Sequence, residues 1–64
     1  MKYIITSTGD IRIGNTYHYD LAKNCSGKVI KAGHIKIKDA EVFGKSNTFN
    51  IKADESDLDL INNI

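Results

Sequence analysis

Short runs of β-branched and aromatic residues, each closed by a cluster of Gly, Asn, Asp or Ser, recur along this sequence and restrict it to consecutive strands and turns. The spacing predicts five strands. The first spans about Lys2 to Thr6 and ends at Ser7-Thr8-Gly9-Asp10, where Gly9 supplies the positive φ of a tight turn, so a hairpin follows. In the second, Ile11 to Tyr19, the odd positions Ile11, Ile13, Tyr17 and Tyr19 fall on one face, with a bulge or bend at Gly14. Asp20 to Gly27 is too polar for a central strand and reads as the longest loop. A third strand, Lys28 to Lys31, leads through Ala32-Gly33 into a fourth, His34 to Phe43. The apolar phase of the fourth changes from odd (Ile35, Ile37) to even (Ala40, Val42), as one inserted residue near Asp39 would cause. After a turn at Gly44-Lys45-Ser46-Asn47, Thr48 to Ala53 forms the fifth strand with Phe49, Ile51 and Ala53 inward.

The tail from Asp54 to Ile64 begins acidic, and Ser56 with Asp59 resembles a capping box with Asp in place of Glu or Gln. Leu58/Ile61 and Leu60/Ile64 have helical spacing, whereas Asp57-Leu58-Asp59-Leu60 also alternates like a strand; a helix is preferred. The recurrence of Ile30-Lys31-Ala32, Ile37-Lys38-Asp39 and Ile51-Lys52-Ala53 leaves a solenoid as a minor alternative, opposed by the hairpin signal between the last two. The expected fold is mostly β: a small five-stranded antiparallel sheet or barrel, of SH3-like or OB-like size, with a short C-terminal helix. Residues 1–64 form a single domain in this reading, with a β core at 1–53 and an acidic appendage at 54–64.

A chain of 64 residues supports one thin core, too small to enclose a cavity of several hundred Å³ unaided, which argues against a self-contained enzyme. The lone Cys25 closes no disulfide within the chain, and the apolar run after Met1-Lys2 is too short for a signal peptide or a membrane span. A cytoplasmic location is expected.

The formal charge is +1, but Lys23, Lys28, Lys31, Lys36, Lys38, Lys45 and Lys52 crowd the middle of the chain, opposed there by Asp39 and Glu41. A face presenting Lys36, Lys38 and Lys52 with a nearby tyrosine suits a phosphate backbone and a stacked base. Lysine alternating with isoleucine is also how any half-buried strand keeps its outer face wet, and this plainer reading is preferred. Tyr17 and Tyr19 are good contact residues for a partner, yet the alternation turns them inward beside Ile11 and Ile13. His18 and His34 lack any recognised metal-ligand spacing, and Cys25, although flanked by Lys23 and Lys28, has no base implied by the sequence. No cofactor, metal or catalytic residue is assigned.

The leading expectation is a non-enzymatic module that binds another protein, in an accessory or inhibitory role. Contact would use a sheet edge, the tyrosines, or the apolar residues of the tail, Leu58, Leu60, Ile61 and Ile64. A homo-oligomer is a related expectation, because a second copy enlarges a marginal core. Nucleic-acid binding by residues 28–52 is the alternative.

Overall fold

A strand in which Tyr3, Ile4, Ile5 and Thr6 follow one another has no charged face, so it is suited to burial on both sides. All four are buried. In the computed structural model, which describes residues 1–63, this strand, β1 (Lys2–Thr6), pairs antiparallel with β2 (Ile11–Gly14) and with β3 (Val29–Lys36). β4 (Glu41–Phe43) adds to the far side of β3, giving the order β2-β1-β3-β4. A second sheet of two strands, β5 (Lys45–Ser46) and β6 (Ile51–Lys52), packs against β3. The helices are α1 (His18–Ala22) and α2 (Ser56–Asn62). The fold is mostly β, as expected. The main sheet is open, however, with β2 and β4 at its edges rather than closed into a barrel, and its four strands plus the separate pair replace the predicted five.

Register explains what each face carries, because directly opposed residues in a ladder point the same way. Tyr3 lies opposite Ile13 and Gly33, Ile5 opposite Ile11 and Lys31, and Ile35 opposite Val42. On this face Tyr3, Ile5 and Ile35 join Ile61 of α2 in the buried core, with Ile11, Ile13, Val42, Ala53 and Leu58 packed around them. The opposite face carries Ile4, Ala32 and His34, and there α1 lies across β1 and β2. Its His18 donates from Nε2 to the Gly33 carbonyl at 2.7 Å.

α2 is fixed to the sheet by a buried carboxylate. Tyr3 Oη donates to Asp57 Oδ2 at 2.5 Å, the Asp54 amide donates to the same oxygen at 3.2 Å, and the Lys31 ammonium stands 3.1 Å from Oδ1. That Oδ1 has no hydrogen bond of good geometry, so the lysine contact is chiefly Coulombic. Burial, reinforced by Asp57, pushes the Tyr3 hydroxyl far above the ordinary tyrosine range. The helix start differs from the predicted box. Asp54 Oδ1 accepts from the Ser56 amide and hydroxyl while Asp57 Oδ2 accepts from the Asp54 amide, so the side chains that hold the helix start are Asp54 and Asp57 rather than Ser56 and Asp59.

Several expected elements are redrawn. The second strand stops at Gly14, where a Cβ would come within 3.2 Å of Leu21 Cδ2, and the chain turns into α1 instead of continuing to Tyr19. The third strand and the start of the fourth are one, β3, running through Ala32-Gly33, and the end of the fourth is the separate strand β4. The phase change near Asp39 is a hairpin turn over 37–40, not a bulge: Asp39 and Ala40 donate to the Lys36 and Ile37 carbonyls, and Ala40 takes a φ of 50°. Pairing Ile35 with Val42 across that turn is what exchanges odd for even. The fifth strand shrinks to Ile51–Lys52, and Lys45–Ser46, predicted as a turn, is its partner; the turn is at 47–50.

Candidate functional site

α1 is a single long turn, and its anchoring decides which of its side chains are free. Asp20 accepts from Thr16 Oγ1 at 2.9 Å and pairs with Lys23 at 3.2 Å, so its carboxyl lies below the usual range, first because of the Thr16 hydroxyl. His18 points into the sheet and is 4% exposed. Tyr19, the next helical residue, lies about 100° further round the axis, and Tyr17 is the extended N-cap residue that precedes the helix. Tyr17 is 73% and Tyr19 56% exposed, which reverses their predicted inward placement. Tyr19 lines a shallow, mainly apolar groove of about 290 Å³ with Ala22, Lys23 and Phe49, and the Lys23 ammonium sits 5.4 Å from its ring centroid.

Tyr17 and His18 border a cleft of about 300 Å³ with Lys2, His34, Lys45, Asn47 and Thr48. Lys2 is opposite His34 in the β1–β3 ladder, and Lys45 is brought in from β5. The His18 and His34 rings meet edge to face at 5.5 Å, and His34 stacks on Phe43 at 5.4 Å. Lys36, in turn, stands 5.4 Å from the Phe43 ring centroid. Burial, then the nearby charges of His18 and Lys2, holds the His34 imidazole below the ordinary histidine range, although the Lys45 backbone acts in the opposite sense. No carboxylate lines this cleft among the described residues.

The lysine stripe is not assembled as one strand face. Lys36 ends β3 opposite Glu41, Lys38 lies in the 37–40 turn, and Lys52 sits in β6 opposite Lys45. All three are exposed. The apolar residues of the tail divide likewise: Ile61 is buried in the core, Leu58 packs beside it, Leu60 is 44% exposed, and Ile64 lies outside the described residues. Beside α2 an open groove of about 680 Å³ is bordered by Glu41, Asp54, Glu55 and Asp59 with Ala40, Val42, Ser56 and Leu58, and no cation lines it among the described residues.

Cys25 is half-buried, its thiol 3.8 Å from the Leu21 carbonyl, and no group of three or more potential metal ligands occurs among the described residues. Nor is any helix there long and apolar enough to cross a membrane. The histidine cleft was not legible in the sequence, because Lys2, His18, His34 and Lys45 converge from four separate elements or their ends. The signal that existed was the pair of histidines, read only as metal ligands or strand-surface groups. The class that the fold and site define is an open antiparallel sheet with a short helix on each face and a cationic, histidine-lined cleft. No protein-family model, curated protein or solved structure matches the chain.

Proposed function

We propose that the chain is a small non-enzymatic binding module that engages a protein partner through the α1 face, with Tyr17 and Tyr19 as anchors. The observation that carries this reading is their exposure on either side of His18, Tyr17 as the N-cap residue and Tyr19 in the first turn of α1, while His18 itself is locked into the sheet. Tyrosine buries a large area with few rotatable bonds and keeps a polar tip, which makes exposed, positioned tyrosines efficient contact residues. The groove of Tyr19, Ala22 and Phe49 suits an apolar side chain, and the cations of the adjoining cleft, Lys2 and Lys45, suit an acidic flank on the same partner. The tail is a weaker candidate than its composition implies, since Ile61 and Leu58 are committed to the core.

Capture from a lysate of the native host, with bound proteins identified by mass spectrometry, tests this when repeated with Tyr17→Ala/Tyr19→Ala. The expected result is a partner held by the parent and lost by the double variant, with the variant's circular dichroism unchanged. Equal capture by both, or recovery of nothing but nucleic acid that a rise in salt releases, overturns it. The nucleic-acid alternative draws on Lys45 and Lys52 standing side by side in the small sheet and predicts that salt-dependent outcome.

A further inference from the structure

We infer that the cleft between α1, the start of β1 and the β5–β6 hairpin is a binding site for a phosphate-type oxyanion, free or as a monoester. Two lysines, Lys2 and Lys45, two histidines, His18 and His34, and the polar residues Asn47 and Thr48 border one space of about 300 Å³. A tetrahedral dianion with several acceptor oxygens suits a space bordered by lysines, His34, Asn47 and Thr48, all of them residues with donor groups. The volume admits the oxyanion and a small substituent.

Two features fix the histidine side of the cleft. Lys2 faces His34 directly across the ladder, and the His34 ring is confined between Phe43 and the Gly44 backbone, where an added Cβ would come within 2.9 Å of its Cδ2. His18 spends Nε2–H on the Gly33 carbonyl, which orients the remainder of its ring. Like charges gathered without a counter-ion are unfavourable, and an anion relieves them. The lowered basicity of His34 has this origin in part: after burial, its contributors are His18, Lys2 and the Met1 amino group, all able to carry positive charge. An anion in the cleft therefore raises the His34 pKa, and by linkage it binds more tightly as pH falls through the histidine range.

The site does not depend on the proposed protein partner, although Tyr17, Lys2 and Lys45 serve both. Histidine ring resonances followed by NMR in chloride buffer of fixed ionic strength, with added inorganic phosphate or phenyl phosphate, test it. The expected result is a saturable shift of the His18 and His34 rings and a raised His34 pKa, with affinity reduced about tenfold or more in Lys2→Ala and Lys45→Ala but unaltered in Lys28→Ala. Amide spectra establish that each variant is folded. Tighter binding of phenyl phosphate assigns the site to a monoester and equal binding to the free anion, and either result upholds it. Shifts that do not saturate, that added chloride reproduces, or that persist unchanged in both folded lysine variants overturn it.

Discussion

At the scale of single residues, three positions carry consequences their identities alone do not reveal. Gly33 lies mid-strand, where glycine ordinarily weakens a sheet, yet an added Cβ would fall 2.7 Å from the Cβ of Ala53 and 3.1 Å from the Tyr3 ring. Gly33→Ala is expected to lower stability by about 1–3 kcal/mol through overpacking, read as a reduced urea midpoint with unchanged slope. Ala40 adopts a left-handed φ of 50°, which costs an L-residue energy that glycine avoids. Ala40→Gly should raise the midpoint by the equivalent of about 0.5–1 kcal/mol, whereas a lowered midpoint would show that the turn favours alanine. Tyr3→Phe removes a donor from the buried Asp57 and leaves Lys31 and the Asp54 amide to satisfy it. A loss of about 1–3 kcal/mol in the same denaturation assay is expected, because an under-satisfied buried carboxylate costs more than the bond is worth in water.

Among the elements, β1 and its hairpin to β2 were legible because a β-branched and aromatic run, the alternation of Ile11 and Ile13 and a glycine turn suffice to specify them, and Gly9 takes the expected positive φ of 88°. α2 was legible from the spacing of Leu58 and Ile61, although its capping pair was displaced by two residues. α1 was not. Five residues are fewer than a helical period can reveal, and Tyr-His-Tyr carries strand propensity; the helix exists because His18 and Leu21 find the sheet. The hairpin from β3 to β4 was visible only as a broken phase, since a bulge and a turn disturb alternation alike. Because α2 supplies Ile61 and Asp57 to the core, ending the chain before Ser56 is expected to abolish cooperative thermal unfolding. A shortened chain that still melts sharply would make the helix an accessory.

For the whole molecule, the Cα radius of gyration of 10.3 Å is close to the roughly 11 Å of a compact chain of this length, yet its charges are distributed unevenly between two grooves. Acidic residues border the α2 groove, and lysines and histidines border the cleft beside α1. The pH dependence of stability follows from the shifted groups. Tyr3 is held protonated in the folded state, so its contribution is complete below about pH 10 and declines as pH rises beyond that. The His34 imidazole is less basic in the folded state, chiefly through burial, so its contribution is complete above about pH 6.5 and falls as acid protonates the unfolded chain. Asp54, lowered first by the Ser56 amide, adds a further loss when pH falls through the carboxylate range below about 4. Urea midpoints should form a plateau between about pH 7 and 10 with losses on both sides. A midpoint still constant at pH 11 would contradict the buried role of the Tyr3 hydroxyl.

By itself the sequence determined the β-rich class, the first strand and its hairpin, and the terminal helix, because each follows from short-range composition, periodicity and turn chemistry. Tertiary structure alone decided that Gly33 continues a strand, that Tyr17 and Tyr19 face outward, and that two lysines and two histidines share a cleft. These depend on which layer covers which face: Ala53 fills the space over Gly33, and His18 takes the inward position that alternation assigned to its neighbours.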